Sequence, residues 1–208
     1  MISMRPFVIV DYGMGNLNSV KRKFARIGVE ATITRDFRQI ITAHKLVLPG
    51  VGHFEKAVGN LKEWGLWDAL NDTVLVKKVP ILGICLGMQL MAKHSDEGSV
   101  DGLGWFNGDV IRFKATDRLK YKIPHMGWNS VRVCKDSALF HDIPENSEFY
   151  FVHSYHYQSH DPSEVLTYTT YEYEFCSAVA KGNIFGLQYH PEKSHDIGEK
   201  MLLNFAKI

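Results

Sequence analysis

Val79-Pro80-Ile81-Leu82-Gly83-Ile84-Cys85-Leu86-Gly87-Met88-Gln89-Leu90-Met91 sets an apolar run against a glycine-flanked cysteine and then a second apolar run. The first run, Val79 to Ile84, is short and apolar throughout, as a strand buried on both faces is. Met88 to Met91 reads as the buried opening of a helix. Glycines two residues before and two residues after Cys85 suit a sharp strand-to-helix turn, because side chains there would collide across the bend and the residue between them sits in a strained conformation. A cysteine so placed, where the positive end of a helix dipole favours the thiolate, is a candidate nucleophile. The same pattern also describes a buried structural cysteine at a glycine-rich strand end.

The flanking sequence repeats the unit. Phe7 to Asp11 is an apolar run that stops at Tyr12-Gly13-Met14-Gly15-Asn16, and Val20 to Ile27 then carries helical apolar spacing with Lys and Arg on the other face. Val29 to Thr34 alternates as a strand does. Leu46 to Leu48 is a short buried-type run that ends at Pro49-Gly50-Val51-Gly52, and helical periodicity follows from Phe54 to Leu70. Strands alternating with helices over the first hundred residues predict a parallel sheet covered on both faces. The second half changes character: Asp109 to Phe113, Ser130 to Cys134, Glu148 to Val152, Val165 to Thr170, Cys176 to Ala180 and Ile184 to Gln188 are short and β-branched or aromatic, with turn residues between them. A last amphipathic helix is expected over Ile197 to Phe205. With no repeat, low-complexity tract or linker, the reading is one α/β domain over residues 1–208: an open, mostly parallel sheet flanked by helices, with a mixed, partly antiparallel β extension.

The chain has 208 residues, of which 45% are hydrophobic, enough for a core that needs neither disulfide nor metal. Its 24 basic and 23 acidic side chains nearly cancel and are interspersed, so neither nucleic acid nor a membrane surface is an expected partner. No apolar run reaches the roughly 20 residues that span a bilayer, and the first ten residues lack the pattern of a signal peptide, so a cytoplasmic location is expected. Cys85, Cys134 and Cys176 are an odd count with no CxxC spacing, which fits reduced thiols.

A thiolate nucleophile needs a proton shuttle. The run Ile184 to Gln188 leads into Tyr189-His190-Pro191-Glu192-Lys193-Ser194, where Pro191 fixes an extended geometry that brings His190 and Glu192 to one side. His190 then exchanges the Cys85 proton while Glu192 holds the ring tautomer. Pro49-Gly50-Val51-Gly52 supplies a third element: the amides of Val51 or Gly52, with that of Leu86, are candidate donors to a tetrahedral oxyanion. All three elements fall at strand carboxyl ends, where open α/β sheets place their sites.

These motifs resemble the class I, triad-type glutamine amidotransferases. The resemblance is carried by Gly83 to Leu90 (GICLGMQL) and His190 to Ser194 (HPEKS), and in order along the chain by Asp11 to Leu17 (DYGMGNL), Pro49 to Phe54 (PGVGHF) and Pro124 to Asn129 (PHMGWN). It implies a flavodoxin-like core and hydrolysis of L-glutamine to glutamate and ammonia, with Cys85 as nucleophile, His190 as acid and base and Glu192 as its orienting carboxylate. By the same resemblance Gly50, Gln89, His153, Ser154 and Tyr155 hold the glutamine. The narrower match within the family implies a separate (β/α)8-barrel synthase subunit as heterodimer partner, receiving the ammonia to make imidazole glycerol phosphate in histidine biosynthesis. Asn16, Met126, Trp128 and Lys193 match positions that meet that partner. No cofactor and no metal are expected.

Two further signals lead nowhere. Gly13-Met14-Gly15-Asn16-Leu17-Asn18 begins like a dinucleotide fingerprint but has Asn18 where the third glycine belongs. His153 and His156, three apart on an extended segment, are expected to point to opposite faces, which argues against a metal pair. Two alternative functions stay open: a glutaminase that supplies ammonia to another acceptor enzyme, such as a sugar amidotransferase of surface polysaccharide synthesis, and a non-catalytic binding module of the same fold.

Overall fold

Every second residue of the first strand goes to a different core. Phe7 and Ile9 pack with Val20 and Phe24 of one helix and Met201, Leu202 and Phe205 of another, whereas Val8 and Val10 pack with Ile40, Phe54, Val58, Leu61 and Leu70 on the opposite side. That is the period-two signature of a strand buried on both faces. The computed structural model describes residues 6–117 and 119–208. Its first half runs β1 (Phe7–Val10), α1 (Leu17–Arg26), β2 (Ala31–Thr34), α2 (Phe37–Ile41), β3 (Lys45–Gly50), α3 (Phe54–Glu63), α4 (Leu66–Asn71), β4 (Ile81–Cys85) and α5 (Leu86–Gln89). The second half adds β5 (His94–Ser95), β6 (Val100–Asp101), β7 (Gly108–Arg112), β8 (His125–Ser130), β9 (Arg132–Val133), β10 (Glu148–His153), β11 (Tyr155–Ser159), β12 (Val165–Tyr171), β13 (Tyr173–Lys181), β14 (Ile184–Leu187) and α6 (His195–Lys207).

The main sheet is ordered β2-β1-β3-β4-β14-β13-β11-β7-β5-β6. Its β2-β1-β3-β4-β14 part is parallel throughout, the flavodoxin-like order expected of this fold class, and β13, β11 and β7 extend it antiparallel. β8 and β10 form a separate antiparallel ribbon in which Trp128 pairs with Tyr150 and His125 with His153. Register decides where chemistry can occur. Gly50 pairs with Cys85 across β3 and β4, and Leu187 pairs with Ile84 across β14 and β4, so three neighbouring parallel strands release their chains at one level. Among the described residues no helix is long and apolar enough to cross a membrane.

Several expected boundaries move, each for a local reason. The helix expected over Phe54 to Leu70 is two, because Gly65 adopts the left-handed conformation with φ of 67° between α3 and α4. The helix after Cys85 is a single turn, so the nucleophile position faces four residues of helix instead of a long dipole. The strand expected over Ser130 to Cys134 is divided between β8, which starts earlier at His125, and the short β9. β11, unassigned in the sequence, carries Tyr155 to Ser159.

Candidate functional site

Cys85 ends β4 with φ of 53° and ψ of −109°, a conformation that costs a non-glycine residue free energy and persists only where packing enforces it. The glycines on either side enforce it by close approach. A Cβ on Gly83 would lie 2.8 Å from the carbonyl of Gly87, and a Cβ on Gly87 would collide with the carbonyl oxygen of Leu48 in β3. The elbow expected from the sequence is therefore present, with Gly83 crowded across the turn as expected and Gly87 crowded instead by the neighbouring strand. Cys85 is buried, 5% exposed.

His190 follows β14 by three residues and is held twice. Its Nδ1 lies 2.7 Å from Glu192 Oε1, and its backbone N–H donates to the Tyr150 carbonyl at 2.9 Å. The carboxylate can only accept, so Nδ1 carries a proton, while Nε2 is buried and has no hydrogen-bond partner. The neighbour it senses is Cys85. Burial works against a charged ring here, but the nearby Cys85 sulfur and the Glu192 carboxylate outweigh it and push His190 up to about 10. The ring is therefore held in its charged form in a dry site.

A cleft of about 440 Å3 opens above the sulfur, lined by Val51, Gly52, Cys85, Leu86, Gln89, Glu97, Pro124, Val152, His153, Ser154, Tyr155 and Lys193. It falls within the size range of small-molecule sites. Gly50 lies beneath it, where an added Cβ would strike the Tyr12 hydroxyl. Tyr12 is fully buried, its hydroxyl has no partner, and burial raises its phenol far beyond the usual range, with the Cys85 charge adding to the effect.

The structure thus gathers Val51, Gly52, Cys85, Leu86, Gln89, His153, Ser154, Tyr155 and Lys193 at one opening, with His190 and Glu192 behind the sulfur. It also adds Glu97, which sequence reasoning missed. Glu97 Oε2 accepts the Phe54 N–H at 2.8 Å, capping the start of α3 where the preceding His53 side chain provides no cap. No local pattern around Asp96-Glu97-Gly98 marks it, because its partner lies 43 residues earlier in the chain. The two histidines expected on opposite faces both pack with tilted rings against Phe113, with ring centroids 5.2 Å from it for His153 and 4.5 Å for His156. The chain leaves β10 and enters β11 between them, and this breaks the alternation. Among the described residues no group of three or more histidine, cysteine or acidic side chains is placed to hold a metal ion.

The four positions expected to meet a partner are all exposed, in two places. Met126 and Trp128 are 61% and 43% exposed on β8. Trp128 stacks on His195 with centroids 4.8 Å apart, and Lys193 sits over the ring of Tyr150, its neighbour across the ribbon. Asn16 caps α1 by accepting the Ser19 N–H, directly after Gly15, which backs onto the Gly50-Val51 backbone.

Residues 8–208 match the family described as glutamine amidotransferase class-I. The chain is 51% identical over 199 residues to imidazole glycerol phosphate synthase subunit HisH 2 of Methanococcus maripaludis, covering 96% of this chain and 98% of that protein. It is 42% identical to the Pseudomonas aeruginosa protein of the same name, covering 97% and 98%, and 45% identical to subunit HisH of Moorella thermoacetica, covering 99% and 96%. Among solved structures, a glutamine amidotransferase superposes with a TM-score of 0.75 at 19% identity over 97% of this chain and 99% of that one. A second, from Thermotoga maritima, gives 0.65 at 17% over 98% and 97%. By sequence, by fold and by the chemistry gathered at Cys85, the chain belongs to the class I glutamine amidotransferases, among the HisH glutaminase subunits of imidazole glycerol phosphate synthase.

Proposed function

We propose that the chain, as a single domain over residues 1–208, hydrolyses L-glutamine with Cys85, His190 and Glu192 as a triad and passes the ammonia to a (β/α)8-barrel synthase subunit that makes imidazole glycerol phosphate. The observation that carries this reading is the strained Cys85 beside a buried His190 whose Nε2 has no hydrogen-bond partner and whose other nitrogen is held by a buried carboxylate. The thiolate attacks the side-chain amide carbon of glutamine. The negative charge that develops on oxygen is taken up by the backbone N–H groups of Leu86 and of Val51 or Gly52. The C–N bond breaks as His190 gives its proton to the departing nitrogen, releasing ammonia and leaving a glutamyl thioester on Cys85. Water, losing a proton to His190, attacks the thioester and frees glutamate.

The cleft accounts for the rest of the substrate. Gly50 leaves room beneath the oxyanion loop, and the wall formed by Gln89 and the 153–155 segment faces the head group. Glu97 is the only acid lining the cleft among the described residues and suits the α-ammonium. Met126, Trp128 and Lys193, with Asn16 at the α1 cap, present the exposed apolar and cationic surface that suits the barrel subunit. Lys193 adjoins Glu192 in sequence and lines the cleft, so a docked partner reaches the triad directly.

The test compares glutamine hydrolysis by the purified chain alone, with a histidine-pathway barrel subunit and its nucleotide ligand, and with a sugar-modifying acceptor enzyme. Hydrolysis is expected to be weak alone and to rise strongly with the barrel subunit, and Cys85→Ser is expected to abolish it while Cys134→Ser leaves it intact. Stimulation by the sugar-modifying enzyme alone would move the ammonia to another customer, and labelling by a glutamine-like electrophile at Cys134 or Cys176 would overturn the nucleophile.

A further inference from the structure

Gln188 is fully buried, lies immediately before the His-Pro-Glu turn and has no part in the triad. Its side-chain Nε2 lies 3.6 Å from Cys85 Sγ, and its Oε1 lies 2.9 Å from Gln89 Nε2. An amide beside a sulfur can present either its donor or its acceptor, and the two have opposite effects on a thiolate. The surrounding hydrogen bonds allow only one. The Tyr155 carbonyl can only accept, so Gln89, 2.9 Å away, must present its NH2 there. The second proton of that NH2 then meets Gln188, which must present its oxygen. Gln188 therefore points its NH2 at the sulfur.

The same carbonyl orients a second arm. His153 Nδ1 donates to Tyr155 O at 2.8 Å, so His153 Nε2 is the acceptor of the His125 Nδ1–H at 3.0 Å. His125 Nε2 is then an acceptor, and Asn129 Nδ2 fills it at 3.3 Å. Asn129 is oriented independently, because its NH2 also donates to the Thr170 carbonyl at 3.0 Å. Two backbone carbonyls at opposite ends thus dictate the same direction for every proton between them. Stacking holds the middle still: the His125 ring lies nearly parallel to Phe151 and Tyr171, with interplanar angles of 27° and 26°. Both ring nitrogens of His153 are committed to protein partners, so its imidazole serves as a strut behind the cleft.

We propose that Gln188 is a positioning residue for the nucleophile: its amide donates to the Cys85 thiolate, and the Tyr155 carbonyl, acting through Gln89 and braced by the His153–His125–Asn129 arm, keeps that donor from turning over. A donor aimed at an anion strengthens as charge builds on the sulfur, whereas a flipped amide would set a carbonyl oxygen against it. The inference rests on the reading of Cys85 as nucleophile and adds the group that stabilises its reactive form.

The experiment uses the full chain carrying Cys134→Ser, which removes the exposed thiol, and follows iodoacetamide alkylation of Cys85 by peptide mass from pH 6 to pH 10. Gln188→Met keeps the size and apolar packing and removes the donor. It is expected to slow alkylation about tenfold at pH 6.5 and to converge on the parent rate near pH 10, where the thiolate forms without help. Gln89→Met, which does not touch the sulfur, is expected to change the profile in the same direction, and it carries the test where Gln188→Met does not fold. An unchanged profile, or slowing that is equal at pH 6.5 and pH 10 and so reports access alone, overturns the proposal. Alkylation needs no turnover, so the two readings fail separately. A parent chain that hydrolyses glutamine while both variants alkylate as it does removes the Gln188 role alone, and altered profiles in a chain that never hydrolyses glutamine remove the proposed function alone.

Discussion

Acid should unfold this protein from the histidine cluster outward. Burial lowers His125 and His156 from 6.5 to about 4 each, with the Tyr157 carbonyl opposing the shift at His156 only weakly. His153, buried and flanked by His125, is lowered further in the same direction. A histidine that stays neutral in the fold but protonates in the unfolded chain makes stability fall as pH drops from 6.5 towards 4. Two and a half pH units at about 1.4 kcal/mol each give roughly 3.4 kcal/mol per histidine for the complete transition. Between pH 6.5 and 5.0 the loss is about 3 kcal/mol for His125 and His156 together, a large part of the roughly 5–15 kcal/mol that holds a domain folded. His190 does not add to it, because its raised value leaves it protonated in both states at acid pH. Urea denaturation followed by far-ultraviolet circular dichroism at pH 7, 6, 5.5 and 5 is the assay, and the midpoint is expected to drop by roughly 1 M across that range. His156→Gln, which keeps a partner for the Tyr173 hydroxyl, should lose about half as much from the pair. A midpoint flat from pH 6.5 to 5, or a His156→Gln chain as acid-sensitive as its parent, would refute the reasoning.

Three further outcomes follow from single residues. Gly87→Ala should destabilise the fold by about 3 kcal/mol or more in urea titrations, since the new methyl group has to displace the Leu48 carbonyl and with it the β3–β4 register. Tyr12→Phe should raise stability by about 1 kcal/mol, because it removes a buried hydroxyl that has no partner, and a loss of stability would show that the hydroxyl is satisfied in solution. Within the triad, His190→Ala should bring glutamine hydrolysis close to zero in steady-state assays, whereas Glu192→Gln should leave a measurable remnant, because the carboxylate orients the proton carrier without transferring the proton itself.

How much of this was legible in the sequence depended on whether the deciding interaction was local. The parallel core could be read because Phe7 to Val10, Leu46 to Leu48 and Val79 to Ile84 are short apolar runs, as strands of a doubly covered sheet are. The Cys85 elbow could be read because both glycines flank the cysteine and Gly83 backs onto Gly87 within the same turn, although the closest approach at Gly87 is to Leu48 of β3. The break at Gly65 could not, since helical apolar spacing continues through it and only the left-handed backbone interrupts the helix. Glu97 and Gln188 stayed hidden for the opposite reason: each is a single polar residue whose partners, Phe54 and Cys85, are distant in sequence and meet it only after the sheet has closed. His153, read as a glutamine contact, lines the cleft; that the imidazole of His125 and the carbonyl of Tyr155 take its two nitrogens could not be read, because His125 is 28 residues away.

The His-Pro-Glu turn is stitched to the β8–β10 ribbon more than to the central sheet. His190 donates its N–H to Tyr150 O, Tyr150 donates its own to Ser194 Oγ, and Ser194 closes the loop by donating to His190 O at 2.6 Å. β4, which ends at Cys85, is clamped between β3 and β14, and Cys85 has no such bond to the ribbon beyond a 4.0 Å contact with the Val152 carbonyl. Cys85 and His190 are therefore anchored to different parts of the molecule, one to the parallel sheet and the other to a narrow two-stranded ribbon that carries Met126 and Trp128. A bonded route from Trp128 to the imidazole thus runs across the ribbon to Tyr150 and through its carbonyl to the His190 N–H, and it does not pass through the elbow that holds Cys85.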